Sequence, residues 1–210
     1  MGLIRGPGIV TEGLDLSLDP ASVRSYPGSG TNWNDLTRKL TYTIGSNLTF
    51  NPGHHGGSFT MSNNGGAGGG ALSTTTLTTS TTCTFVIWIK TTDSQALFWG
   101  ATPSSYGGSY YLGAFRSGNK EYYGNCGSPD YYQDLVEVSN IYDNVRDGEW
   151  HMCEFKNVNF SSWTNQHNFN SYNSYTFGNG SCGPILIYNR NLSSSESLQN
   201  YNAFKQRFLG

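Results

Sequence analysis

An all-β sandwich closed by one C-terminal helix is the fold class this sequence predicts, and three observations predict it. Apolar residues alternate with polar ones over several short stretches, the period of a half-buried strand. Gly, Asn, Ser and Pro interrupt those stretches at the spacing of a multi-strand sandwich, with 27 glycines and 7 prolines among 210 residues. Only the last stretch carries the 3.6-residue period of a helix. A chain of this length suits one domain and buries roughly 70% of the surface it exposes when unfolded, so its core needs no covalent staples. A net charge of -2 and an aromatic content of 14% exclude a disordered chain.

The elements follow in order. Residues 1–12 show no periodicity and read as an N-terminal arm, ahead of a domain over 13–210. Leu14, Leu16 and Leu18 alternate with Asp15, Ser17 and Asp19, which is a strand that Pro20 ends. Weak alternation over 40–61 holds two more strands, around Tyr42–Ile44 and Ser58–Met61. The run from Asn63 to Gly70 is a glycine-rich loop, and a Thr-rich strand follows from Leu72 to Thr82. The stretch from Thr84 to Lys90 is continuously apolar up to its last residue, as expected of a strand covered on both faces. Further strands are expected at 95–100, 109–116, 135–142, 150–158 and 183–189. Ser193 and Glu196 form a capping box, after which Leu198, Tyr201, Phe204 and Phe208 make one apolar helical stripe.

Charge speaks about partners. Twelve basic and fourteen acidic residues are scattered, and Arg38-Lys39 is the one adjacent basic pair, so no stripe exists to displace counterions from nucleic acid. The longest apolar runs, such as Phe85 to Ile89, are too short to span a bilayer. The first residues lack the apolar stretch of a secretory signal, and Gly6 stands where myristoylation wants Ser or Thr, which predicts synthesis in a cytoplasm. Cys83 and Cys153 fall in apolar strands and read as buried free thiols. Cys126 and Cys182 lie in glycine-flanked turns and either stay free or pair, with a cytoplasmic origin favouring thiols.

Four segments carry a family resemblance. Thr84 to Thr92 is similar to a first core strand, Gly148-Glu-Trp-His151 to the turn into a central strand, and Ile187 to Glu196 to the closing strand-and-helix signature. Gly13 to Asp19 together with Ser25 to Leu36 is more particular. In this order they resemble the concanavalin A-like, laminin-G-like domains of tailed-phage virion proteins, notably phages of aquatic hosts, over about residues 10–208. The resemblance implies a jelly-roll sandwich of two antiparallel sheets with a short C-terminal helix. It implies a virion structural protein on the particle surface, foremost a capsid decoration (cement) protein that binds the major capsid protein. The alternative it leaves open is a carbohydrate-binding adsorption protein, a lectin for host polysaccharide. An accessory protein at three-fold positions of a shell gains by being a trimer, so a homotrimer with arms on the shell is the expectation. Family members carry acidic residues after the strand that ends here at Met61; this chain reads Ser62-Asn-Asn-Gly, whose amides are poor calcium ligands, so no metal or other cofactor is expected.

Catalytic patterns are missing. Related sandwich glucanases use two carboxylates about 5 Å apart on one strand face, and no such pair occurs. Glu149 and Glu154 bracket the Trp150–Cys153 strand on opposite faces, His54 and His55 point to opposite sides of an extended chain, and no serine has a nucleophile motif around it. The protein is therefore read as no enzyme. Aromatic residues stand out instead, interleaved with Asn over 106–132 and 157–177. Rings stack on sugar faces while amides bond hydroxyls, and Tyr and Trp also anchor protein interfaces. The candidate glycan- or partner-binding residues are Tyr110, Tyr122, Tyr123, Tyr131, Trp163, His167 and Tyr172, with core filling and a subunit seam as the competing readings.

Overall fold

A computed structural model describes residues 8–46, 48–53, 56–62, 71–72, 80–93, 96–101, 111–116, 119–139, 145–163, 166–168 and 179–210. At 62, 71–72, 96–101, 111, 113–116, 119–124, 166–168 and 179 the description is of the backbone alone.

Two antiparallel sheets form the sandwich expected from the sequence. The first has eight strands: β1 (Leu14–Leu18), β4 (Leu48–Asn51), β5 (Ser58–Ser62), β7 (Cys83–Thr91), β11 (Gly127–Gln133), β12 (Val136–Glu137), β13 (Trp150–Val158) and β15 (Asn179–Tyr188). Their order is β12-β11-β13-β7-β15-β5-β4, and β1 pairs with the other end of β15. The second sheet runs β10 (Asn119–Gly124), β9 (Tyr111–Arg116), β8 (Ala96–Ala101), β14 (Gln166–Asn168), β6 (Ala71–Leu72), β3 (Thr41–Ile44) and β2 (Asn32–Asn34). Helix α1 (Ser194–Phe208) closes the described chain.

Strand alternation divides β7 between two cores. Phe85, Ile87 and Ile89 face the second sheet and join Phe155, Ile185, Ile187, Phe59, Trp33 and Tyr42 in the inner core. Val86 and Trp88 face outward and join Trp150, Met152, Leu186, Tyr188, Leu192, Val10 and Phe208. This second core explains why β7 reads as continuously apolar: α1 covers the face that a simple sandwich leaves to water. Gly183 is what lets the helix lie so close, because a Cβ there would stand 2.5 Å from the Phe208 ring and 3.2 Å from Trp88 Cβ.

The helix begins as its sequence predicts. Ser193 Oγ accepts from the Glu196 backbone N–H, and the Glu196 carboxylate accepts from the Ser193 backbone N–H. Arg190 donates two further bonds to Glu196, at 2.6 and 2.9 Å, and with the Ser193 N–H holds that carboxyl down to about 2. The buried face is rotated from the expected stripe. Leu198 is 46% exposed, whereas Ser197 and Asn200 are buried with Phe208. Polar residues hold that face because each has a partner below: Ser197 Oγ donates to Glu154 Oε1 at 2.8 Å, and Asn200 accepts from Val10 N–H at 2.9 Å.

The last part of the expected arm, residues 8–12, packs on the domain. Val10 is 6% exposed and its backbone closes a triangle of hydrogen bonds with Asn200 and Tyr188. Gly8 O accepts from Gln199 and Glu12 O from Arg190, so residues 8–12 belong to the domain. Strands β2, β4, β10, β11 and β14 were not anticipated, being short or polar. The expected strand over 135–142 contracts, among described residues, to Val136–Glu137. Asp134 and Leu135 both adopt positive φ, a tight hairpin turn between β11 and β12. Of the Thr-rich segment, Leu72 pairs in β6, Ser80–Thr82 lie outside any strand, and 73–79 lie outside the described residues.

Candidate functional site

Among the described residues, the outer face of the first sheet is not covered along its whole length. Thr60, Ser181, Lys90 and Trp150 lie opposite one another across β5, β15, β7 and β13. Trp150 belongs to the outer core, and the other three line an open cavity of about 620 Å³. Asn51, Pro52, Gly53 and Gly148 are among the other residues of its wall. Asn51 Nδ2 donates to Thr60 Oγ1 at 2.5 Å, and Thr60 Oγ1 lies 3.1 Å from Ser181 Oγ. Among the described residues no carboxylate pairs with Lys90. The result is a hydroxyl–amide row and one ammonium fixed on hydrogen-bonded strands, with no carboxylate, histidine or cysteine among the described wall residues. Such a set can bond neutral hydroxyl groups.

The acid groups nearby serve the fold. Glu154, 1% exposed, sits beneath α1 with Ser197 Oγ and Lys156 Nζ, and burial pushes its carboxyl above the ordinary range despite both partners. His151 Nδ1 lies 2.6 Å from Asp134 Oδ2 and its Nε2 lies 3.1 Å from Asp147 Oδ1. Burial pulls its pKa down, and the two carboxylates outweigh that and raise it. Asp134 also accepts from the Met152 N–H, so this cluster ties the strained β11–β12 turn to β13. Of the calcium segment implied by the resemblance, Ser62 ends β5 and Asn63 onward lies outside the described residues. No three His, Cys, Asp or Glu residues gather as ligands among the described residues. All four cysteines are buried free thiols, so Cys126 and Cys182 do not pair. Desolvation pushes the Cys83 thiol up to about 11.

The predicted aromatic residues are not gathered into one site. Trp163 is 1% exposed, packs edge-on to Phe160 and donates its indole N–H to Asn125 O at 2.7 Å. It is a core ring that pins a loop, which corrects its assignment as a contact residue. Tyr131 is half-buried and packs edge-on to Phe155 against the inner core. Tyr122 and Tyr123 lie on β10, at an edge of the second sheet, and His167 on β14, in its middle. Tyr110 and Tyr172 lie outside the described residues. The sequence reading overlooked Asn51, Thr60, Lys90 and Ser181. Their signal was small: Lys90 breaks the apolar run of β7 two residues after Trp88, on the outward period.

No protein-family model matches this chain, and no curated protein matches it in sequence. Its backbone is similar to solved structures. The Trypanosoma rangeli sialidase in complex with sialic acid matches with a TM-score of 0.54 at 13% identity, over 97% of this chain and 35% of the sialidase. The binding domain of Paraclostridial Mosquitocidal Protein 1 matches with a TM-score of 0.53 at 11% identity, over 90% of this chain and 52% of that domain. The Botulinum Neurotoxin serotype G binding domain matches with a TM-score of 0.53 at 14% identity, over 89% of this chain and 50% of that domain. The chain thus spans about a third of the sialidase and half of the two binding domains. At these identities the likeness shows the fold alone, a β-sandwich of two antiparallel sheets.

Proposed function

We propose that this chain is a non-catalytic, lectin-like binding module of a tailed-phage virion, gripping carbohydrate through the cavity of Asn51, Thr60, Lys90 and Ser181. The observation that carries the reading is that row of neutral donors and acceptors, preorganised on paired strands and open to solvent. Strands fix the geometry before a ligand arrives, so little ordering entropy opposes binding. The similarity to two toxin binding domains supports a binding role. The virion assignment rests on the four resembling segments, and within the virion we propose decoration of the shell, with the cavity presented outward to polysaccharide of the host surface. Residues 8–12 are engaged by Asn200, Tyr188, Gln199 and Arg190, so an arm reaching the major capsid protein would begin before Gly8.

The experiment is titration calorimetry against a panel of neutral host-type polysaccharides, with product analysis of the same mixtures. A member of the panel binds, N51A with S181A weakens it about tenfold, and no new reducing ends form. A panel without any binder sinks the carbohydrate reading, and released reducing ends sink the non-catalytic one. Cryo-electron microscopy of particles locates the protein: regular copies on the head support decoration, and copies confined to the tail replace it with adsorption.

A further inference from the structure

A second depression, of about 780 Å³, lies away from that cavity, along β2 and the turn that follows it. Its wall includes Arg24, Asn34, Asp35, Arg38, Lys39 and Thr41. The turn is built around a buried carboxylate. Asp35, 3% exposed, accepts from the backbone N–H groups of Ser17, Thr37 and Lys39, which uses up its charge in holding the chain. Lys39 is spoken for by Asp15, at 2.6 Å. The two arginines are different. Both are exposed, and among the described residues neither guanidinium has a hydrogen-bond or carboxylate partner.

The backbone marks Arg38 further. Its φ is 66°, a conformation that glycine or asparagine adopts more readily than arginine, while its N–H donates to Asp35 O at 2.9 Å to close the turn. A long cationic side chain kept on a strained backbone at the rim of a cavity points to a use for the side chain itself. Arg24 stands on another turn, and that turn is fastened to the same strand: Ser25 Oγ donates to Asn34 O, and Asn34 N–H donates to Ser25 O. Two unpaired guanidinium groups are thus presented to one depression by rigid supports. Planar guanidinium forks bond carboxylate and sulfate oxygens in pairs. Asn34 and Thr41, hydrogen-bonded to each other at 3.2 Å, add amide and hydroxyl groups suited to sugar hydroxyls.

We propose that this depression is a binding site for the anionic groups of an acidic polysaccharide, held between Arg24 and Arg38. It is independent of the neutral cavity on the outer face. A nucleic acid fits less well: two isolated arginines in a chain of net charge -2 do not make the continuous basic track that a phosphate backbone requires.

The test uses the full chain and four probes: dextran sulfate, polygalacturonate, neutral dextran and a double-stranded DNA fragment. Dextran sulfate or polygalacturonate binds, and which of them does so identifies sulfate or carboxylate as the group recognised. R24Q and R38G each weaken that binding about tenfold, the loss of one charge-assisted pair. R38G keeps the fold, since glycine accepts the left-handed turn, so an unchanged melting temperature separates lost binding from lost structure. S181A leaves acidic-polysaccharide binding unchanged, which separates this site from the neutral one. Absence of binding to either acidic polymer overturns the proposal, as does binding that both arginine variants retain. DNA bound as tightly as the acidic polymers, with the same sensitivity to both variants, also overturns it and leaves an unselective anionic contact.

Discussion

The outer face of the eight-stranded sheet has two halves that the same strands supply and that end in opposite states. Over Val86, Trp88, Met152, Leu186 and Tyr188 the strands are apolar, and α1 with residues 8–12 covers them. One strand period beyond Trp88 comes Lys90, opposite Ser181 and then Thr60, and there the sheet is open to a cavity of about 620 Å³. A single period-2 step therefore separates a surface that must be buried from one that must be wet. The covered half holds the fold together and the open half is available for recognition. Rigid backing allows a polar row to keep its geometry without contributing to the core.

Phe208 is the residue on which the covered half depends most. Its ring stacks on Trp88 at 4.8 Å, meets Trp150 at 4.5 Å and lies over Gly183. Phe208→Ala opens a cavity in the outer core and is expected to lower stability by about 3–5 kcal/mol in urea unfolding. A loss below about 1 kcal/mol would mean that the helix is an ornament on a self-sufficient sandwich. Deleting residues 2–12 comes next. It exposes the apolar surface that Val10 covers and leaves Asn200 and Tyr188 without their backbone partners, an expected loss of about 2–3 kcal/mol. Deleting residues 2–7 leaves those contacts in place and is expected to cost less. Equal melting curves for the two deletions would return residues 8–12 to the arm.

Much of this division was legible in the sequence. The unbroken apolar run of β7 required cover on both faces, and the capping box at Ser193 named the helix that supplies one of them. The rotation of that helix was not legible. Ser197 and Asn200 look like surface residues, and only Glu154, Tyr188 and Val10, distant in sequence, make them interior ones. The binding rows were harder still. Thr60, Ser181 and Lys90 come from three strands far apart in the chain, and register alone brings them into line. Aromatic content pointed elsewhere, because Trp163 and Tyr131 pack in the core while Thr and Ser give no compositional signal.

Glu154 is a buried acidic group inside the covered half. Burial raises its folded pKa above the ordinary 4.5, so the native state holds its proton more tightly than the unfolded chain does. Stability from this group is full below 4.5 and declines as pH rises from there through the folded value. His151 acts in the same direction at higher pH: its folded pKa is raised above 6.5, and the stability it lends is lost as pH rises through that folded value. Unfolding free energy is therefore expected to fall from pH 5 to pH 8. Glu154→Gln keeps an acceptor for Ser197 and removes the buried charge, so it should flatten the acidic part of the decline and raise stability at pH 7. His151→Gln should flatten the upper part. A profile of Glu154→Gln that parallels the native one would place the pH dependence elsewhere.

The smallest expected effect on stability belongs to the open half, and it is the most telling. Ser181 Oγ contacts Thr60 Oγ1, which keeps a second partner in Asn51, so removing the hydroxyl strands no buried group. The Cβ of Ser181 remains to cover the strand, and the residue directly inward of it in sequence, Cys182, keeps its place in the inner core. Ser181→Ala is therefore expected to change stability by less than about 0.5 kcal/mol, as for surface positions generally. The same substitution removes one of the fixed hydroxyls from the cavity wall and is expected to weaken a bound neutral polysaccharide severalfold. The two measurements together decide what the row is for. Lost affinity at constant stability makes it a recognition surface mounted on a finished fold. Lost stability of more than about 1 kcal/mol makes it a hydrogen-bonded seam between β5 and β15, and the covered and open halves would then be one structural face after all.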